Sequence, residues 1–121
     1  MKLRIKSNTL RFRLTKSDVS QFREKGFIED KTEFPGSAFF YALKTVHGSD
    51  EITAEYKDNC MTVYMPENWV HDWPEARVGF DHEMPLGNGK SLYILIEKDF
   101  KCLESTREDQ ADNFENPNTH C

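Results

Sequence analysis

The stretch NTLRFRLTKSDVSQF, beginning at Asn8, is followed 51 positions later by NCMTVYMPENWVHDW, beginning at Asn59. The two share a layout rather than a spelling. Each opens on Asn, alternates apolar and polar residues as a half-buried strand does, passes a helix-start signal, and then sets two apolar residues three apart. At this offset Leu10 matches Met61, Phe12 matches Val63, Leu14 matches Met65, Val19 matches Val70 and Phe22 matches Trp73. Past the helix the offset becomes 53, and Phe39-Phe40-Tyr41-Ala42-Leu43 matches Leu92-Tyr93-Ile94-Leu95-Ile96. A unit of about 45 residues is too small to bury its own apolar face well. Two copies in one chain can complete each other around a pseudo-twofold axis.

The local signals define each unit. Leu3 and Ile5 alternate with Lys2, Arg4 and Lys6, and Leu10, Phe12 and Leu14 alternate with Arg11 and Arg13, so the Ser7-Asn8 break predicts a β-hairpin. Thr15-Lys16-Ser17-Asp18 reads as a capping box with Asp in place of Glu, and Gly26 suits the left-handed position beyond the helix. Strands are expected over 27–34 and 38–46, split by Pro35-Gly36-Ser37. In the second unit, ITAEY and MTVYM flank Lys57-Asp58-Asn59. Pro66 then opens a helix, Pro74 stops it, and strands near 77–83 and 91–98 close the unit. The expected organisation is one compact domain over 1–101, made of repeats 1–47 and 52–98, followed by an acidic polar tail over 102–121.

Charge is distributed unevenly along this order. Residues 1–47 carry ten Lys/Arg against five Asp/Glu, residues 48–101 five against eleven, and residues 102–121 one against five. A basic leading hairpin of this kind suits a polyanionic partner; equally, the acidic parts of the chain can cover it. Three cysteines, an odd number, argue against an extracellular disulfide framework. No apolar run approaches the roughly 18 residues of a membrane span, and the N-terminus lacks the apolar core of a signal peptide. A cytoplasmic location without membrane contact is the expectation.

The turn SNTLRFRLT, with the helix and hairpin that follow, resembles the swapped-hairpin domains of the AbrB and MazE type. There a Gly-Asn-Ser turn precedes a strand ending in Arg-Ile-Pro. Asn8, Thr9, Arg13 and Leu14 stand at the corresponding places, with Thr15 where that family has Pro; the second copy, DNCMTVYMP, keeps Asn59 and regains Pro66. The resemblance covers residues 1–98 taken as two copies. It implies an α+β fold: two ββαββ repeats forming a pseudo-twofold AbrB-like β-barrel with two short helices. It also implies nucleic-acid contact through Arg4, Asn8, Thr9 and Arg13, with Lys2, Lys6 and Arg11 nearby. The second copy places Glu55, Asn59, Cys60 and Tyr64 at the first four of those positions. The whole chain, including EKDFKCLE and the NPN tail, also resembles a small uncharacterised bacterial family.

Other constellations carry less. Gly87-Asn88-Gly89-Lys90-Ser91 lacks the first glycine and the following helix of a phosphate-binding loop, and reads as a hairpin turn. Cys102, His120 and Cys121 are the weak candidates for metal ligation, without the usual cysteine spacing. A disulfide between Cys102 and Cys121, or ionic docking of Glu104, Glu108, Asp109 and Asp112 near the cationic hairpin, are other ways to pin the tail. His47, His71 and His82 are isolated, and Asp81-His82-Glu83 reads as loop. Cys60 reads as a small core residue, and Phe39-Phe40-Tyr41 as core rather than a base-stacking platform. No nucleophile–base arrangement or catalytic carboxylate pair stands out. The expectation is therefore a non-enzymatic binding module with no cofactor. It is either a DNA-binding or antitoxin-like regulator, or a protein-interaction scaffold whose basic face is covered by its own tail.

Overall fold

The computed structural model describes residues 1–100, 112, 114 and 115. Its elements run β1 (Lys2–Lys6), β2 (Thr9–Leu14), α1 (Lys16–Lys25), β3 (Phe27–Phe34), β4 (Ser37–Val46), β5 (Thr53–Lys57), β6 (Cys60–Pro66), α2 (Glu67–His71), β7 (Gly79–Gly87) and β8 (Lys90–Lys98). The chain is mostly β, with helices of only ten and five residues. Asp81-His82-Glu83 lies inside β7, in line with the strand expected near 77–83 and against the loop reading of these three residues.

Two four-stranded mixed sheets result, ordered β1-β2-β8-β7 and β3-β4-β6-β5. Each takes one hairpin from each half of the chain. The crossing pairs are the parallel ones, β2 with β8 and β4 with β6. Their registers correspond: Leu10 lies beside Ile94 and Met61 beside Tyr41, Leu14 beside Lys98 and Met65 beside Thr45. The two ladders also begin alike, with Tyr93 N donating to Asn8 O at 3.0 Å and Phe40 N to Asn59 O at 2.9 Å.

These sheets correct the expected α+β fold, two ββαββ repeats forming a pseudo-twofold AbrB-like barrel: the chain is mostly β, and its strands form two open sheets. Neither sheet closes; each ends in two edge strands. The edges carry what discourages further pairing. β1 presents Lys2, Arg4 and Lys6, β3 presents Glu29, Asp30, Lys31 and Glu33, and β7 holds Pro85 next to a register shift before Gly87. Alternation alone specifies which face is buried. It does not specify whether the outermost strands meet.

The inner faces form one core. All ten residues of the offset match are buried: Leu10, Phe12, Leu14, Val19 and Phe22 with Met61, Val63, Met65, Val70 and Trp73. Ile28, Leu43, Phe80, Ile94 and Ile96 fill the remaining space. Fully burying side chains of this size stabilises by roughly 1.5–3 kcal/mol each. Phe39 and Tyr41 face inward and are half-buried, while Phe40 lies in register with Cys60 on the outer face of the second sheet. Cys60 is thus half-buried on an outer face, its Sγ 3.5 Å from Thr62 Oγ1, rather than a core residue.

The helices close one end of the space between the sheets. Thr15 caps α1: its side chain accepts from Asp18 N at 3.2 Å, and Asp18 Oδ2 accepts from Thr15 N at 3.0 Å. Gly26, at φ 71°, ends α1 in the left-handed region, and its N–H returns to Phe22 O. Helix α2 has no side-chain cap. It is held from outside by Arg23 of α1, whose Nε donates to Val70 O at 3.2 Å and whose Nη2 donates to Trp73 O. Among the described residues no helix is long and apolar enough to cross a membrane.

Candidate binding face

The outer face of the first sheet is read row by row across its strands. Lys6, Thr9, Tyr93 and Glu83 form one row, Arg4, Arg11, Leu95 and Asp81 the next, and Lys2, Arg13, Glu97 and Gly79 the third. Side chains opposite one another in such rows share a face. The five cations expected from the sequence therefore do lie together, on β1 and β2. What the sequence did not show is that β8 and β7 bring acids onto the same face.

Glu97 occupies the middle of this arrangement. Its Oε1 accepts from Arg11 Nε at 2.7 Å and from Arg13 Nε at 3.3 Å, and lies 2.6 Å from Arg11 Nη2 in an ion pair. Gly79 leaves room for it, since a Cβ there would fall 2.8 Å from the Cβ of Glu97. Asp99, just past β8, is buried, and its Oδ2 lies 2.7 Å from Lys2 Nζ in an ion pair without hydrogen-bond alignment. Three of the five cations thus have an acid of the chain beside them. Arg4 and Lys6 are exposed and have no ion pair among the described residues. No local signal in β8 could have revealed Glu97 as the partner of Arg11 and Arg13; only the parallel pairing of β2 with β8 brings them together.

Asn8 is exposed in the turn, and its Nδ2 donates to Ser91 O at 3.2 Å, which ties the first hairpin to the start of β8. Thr9 is half-buried beside Tyr93. Tyr93 donates its hydroxyl to Asp81 Oδ2 at 2.7 Å, and this hydrogen bond is the main cause holding its phenol above the ordinary 10.0. At the β1 edge a recess of about 410 Å³ opens between Lys2, Arg4, Arg11, Arg13 and Tyr41. Burial first, then the negative charges of Asp30 and Asp18, push the Tyr41 phenol up, so it stays a neutral hydrogen-bonding group.

The remaining expected candidates fall elsewhere. Cys102, His120 and Cys121 lie outside the described residues, as do Glu104, Glu108 and Asp109. Asp112 is described, and it meets α1 rather than the cationic face. Its carbonyl accepts from Lys16 N at 3.0 Å, and hydrogen bonds from Ser17 and Thr15 lower its carboxyl pKa. Phe114 N donates to Asp99 O at 2.7 Å. No group of three or more potential metal ligands occurs among the described residues. His82 faces the space between the sheets, 3.6 Å from Glu51 Oε2, while His47 and His71 are exposed beside Glu67 and Asp72.

The molecule so described is a two-sheet, mostly β protein with a one-sided cationic face. It belongs to a family of unknown function, DUF7009, whose model matches residues 1–118. This agrees with the uncharacterised-family resemblance and lends no support to the AbrB and MazE one. No curated protein and no solved structure matches the chain.

Proposed function

We propose that this chain is a non-enzymatic, cytoplasmic binding module that holds a polyanion, nucleic-acid phosphate being the class tested first, on the outer face of β1 and β2. One observation carries the reading: Arg4 and Lys6 are exposed with no ion pair among the described residues, and Arg4 lines, with Arg11 and Arg13, a recess that Tyr41 also lines. Phosphate contacts position a protein without reading sequence, and each adds to the salt dependence of binding. With Glu97 and Asp99 offsetting three cations, two full contacts are expected. The dependence of log affinity on log salt should then have a slope of about −2, since each contact contributes about −0.9.

Fluorescence anisotropy of a labelled duplex, titrated with the full chain at several salt concentrations, tests this. Weak binding with that slope, lost in the Arg4→Gln/Lys6→Gln double variant, supports the reading. No binding at low salt overturns it and leaves the protein-interaction alternative.

A further inference from the structure

The offset between the two halves widens from 51 to 53 past the helix, so the second half carries two extra residues between α2 and β7. In the first half Gly26 alone joins α1 to β3, whereas residues 72–78 join α2 to β7. This loop is neither helix nor strand, yet it is held from several sides. Trp73 Nε1 donates to Arg77 O at 2.9 Å, and Arg77 N to Pro74 O at 3.1 Å. Lys98, only 4% exposed, donates its Nζ to Glu75 O at 2.8 Å and to Pro74 O at 3.2 Å. Burial first, then the charge of Arg23, lower the Lys98 pKa. A buried cation is costly unless hydrogen-bonded. Here its hydrogen bonds fix the shape of a surface loop.

Against this loop opens a recess of about 380 Å³, lined by Asn68, Trp69, Asp72, Pro74, Arg77 and Phe80. Trp69 is half-buried and stacks on Phe80, with ring centroids 5.4 Å apart at 21°. The Arg77 guanidinium lies 4.2 Å from the centre of the Phe80 ring, and its Nε donates to Gly79 O at 3.0 Å. Phe80 is thus covered, and Trp69 is the aromatic surface left at the recess. Asn68 and Asp72 are exposed beside it, and Asp72 Oδ1 lies 3.0 Å from His71 Nδ1. Under the 51-residue offset Asn68, Trp69 and Asp72 correspond to Ser17, Asp18 and Gln21, so the first half has no such aromatic.

We propose that this recess binds a neutral pyranose sugar, with one C–H face of the sugar ring on the Trp69 indole and its hydroxyls on Asn68, Asp72 and Arg77. A hydroxyl both donates and accepts. The carboxylate only accepts, the guanidinium only donates and the amide does both, so together they match a ring of hydroxyls. The lining holds one negative and one positive charge. Asp72 opposes a phosphate, and Arg77 opposes a cation and already occupies the aromatic face that a quaternary ammonium would need. The volume lies at the lower end of the roughly 300–1,000 Å³ range of small-molecule sites. A loop fixed before the ligand arrives lowers the ordering cost of binding. The recess shares no residue with the cationic one beside Tyr41, so either reading can fail without the other.

Titration of the full chain with the methyl glycosides of glucose, galactose, mannose and N-acetylglucosamine, followed by NMR of the two indole N–H signals, tests the proposal. At least one glycoside should shift the Trp69 signal more than that of Trp73, whose N–H is already held by Arg77 O. Its affinity should be the same at low and high salt, as a neutral ligand requires. Asp72→Ala, at an exposed position, should weaken it roughly tenfold, the loss of a hydrogen bond to a charged group. Trp69→Ala should abolish binding. An unmoved Trp69 signal with all four glycosides overturns the proposal. So does adenosine shifting Trp69 where the glycosides fail, which assigns the recess to a planar base. Affinity that falls with salt, or that ignores Asp72→Ala, also overturns it.

Discussion

The outer faces of the two sheets stand on matching backbones and present different chemistry. Where the first sheet has Lys2, Arg4, Lys6, Arg11 and Arg13, the second has Thr53, Glu55, Lys57, Thr62 and Tyr64 at the counterpart positions. Where the first has Glu97 between its arginines, the second has Lys44 beside Tyr64. Inward, the counterparts from Leu10 and Met61 to Phe22 and Trp73 stay apolar and buried. Inner positions answer to packing, which tolerates Phe for Val or Leu for Met only within a conserved volume and polarity. Outer positions answer to solvent and partners, and have diverged. A function on an outer face therefore belongs to one half of the chain, while stability belongs to both.

The largest expected effects test that shared stability. Phe22 and Trp73 occupy equivalent places under the two helices, and each is almost fully buried. Phe22→Ala and Trp73→Ala should each cost about 3–5 kcal/mol. Because each sheet takes a hairpin from each half, either variant should lower the midpoint of one cooperative urea transition, with fluorescence and circular dichroism coincident. Two separable transitions would break the comparison, since one half would then be folding without the other.

The next effect concerns the face that differs. Glu97→Gln removes the charge held by Arg11 and Arg13. It should lower stability by about 1–2 kcal/mol, the scale of a partly exposed charge-assisted hydrogen-bond set. It should also raise duplex affinity on the order of tenfold and steepen the salt slope, as two more cations become available. Lys44→Ala at the counterpart place should change stability by less than about 0.5 kcal/mol, as exposed substitutions usually do. Equal effects at the two positions would remove the distinction between the faces.

A smaller contrast lies at the helix starts. Helix α1 has a reciprocal capping box from Thr15 and Asp18, whereas α2 begins at Pro66 with no side-chain cap. Thr15→Ala should cost about 1 kcal/mol in a thermal or urea melt. Asn68→Ala, at an exposed position of α2 that makes no cap, should cost markedly less.

How much of this was legible in the sequence follows from which contacts are local. The alternation of Leu10, Phe12 and Leu14, the Thr15–Asp18 box and the turns at Ser7-Asn8 and Asp58-Asn59 are written within a few residues, and each forms where expected. The juxtaposition of Arg13 with Glu97 depends on which distant strands pair and which edges stay open. Pattern carries no record of that. The barrel expectation failed at this point: strand faces were readable, but edge closure depends on the charged β1 and β3 and on the Pro85 irregularity in β7 acting together. Of the candidate face, the five cations were readable and the acids that offset three of them were not.

The smallest expected effect separates the faces by their phenols. Tyr93 on the first sheet donates to Asp81, and Tyr64 on the second donates to Glu55 Oε1 at 2.8 Å. In both, the hydrogen bond to the carboxylate is the main cause that raises the phenol above 10.0. A raised phenol pKa in the folded chain means the folded state keeps its proton where the unfolded chain loses it. The stabilisation is thus fully present below pH 10.0 and lost as pH rises through the folded value. Both side chains are largely solvated, so the effect on a melt is slight, and phenolate absorbance is the better measure. Asp81→Asn should bring Tyr93 down toward 10.0 without reaching it, because Glu97 and Glu83 still face it. Glu55→Gln should bring Tyr64 closer, since partial burial and Cys60 are all that then hold it up. A Tyr93 that falls as far as Tyr64 would mean that the acids of the first sheet exert no field along their face. Glu97 would then act on Arg11 and Arg13 by direct contact alone.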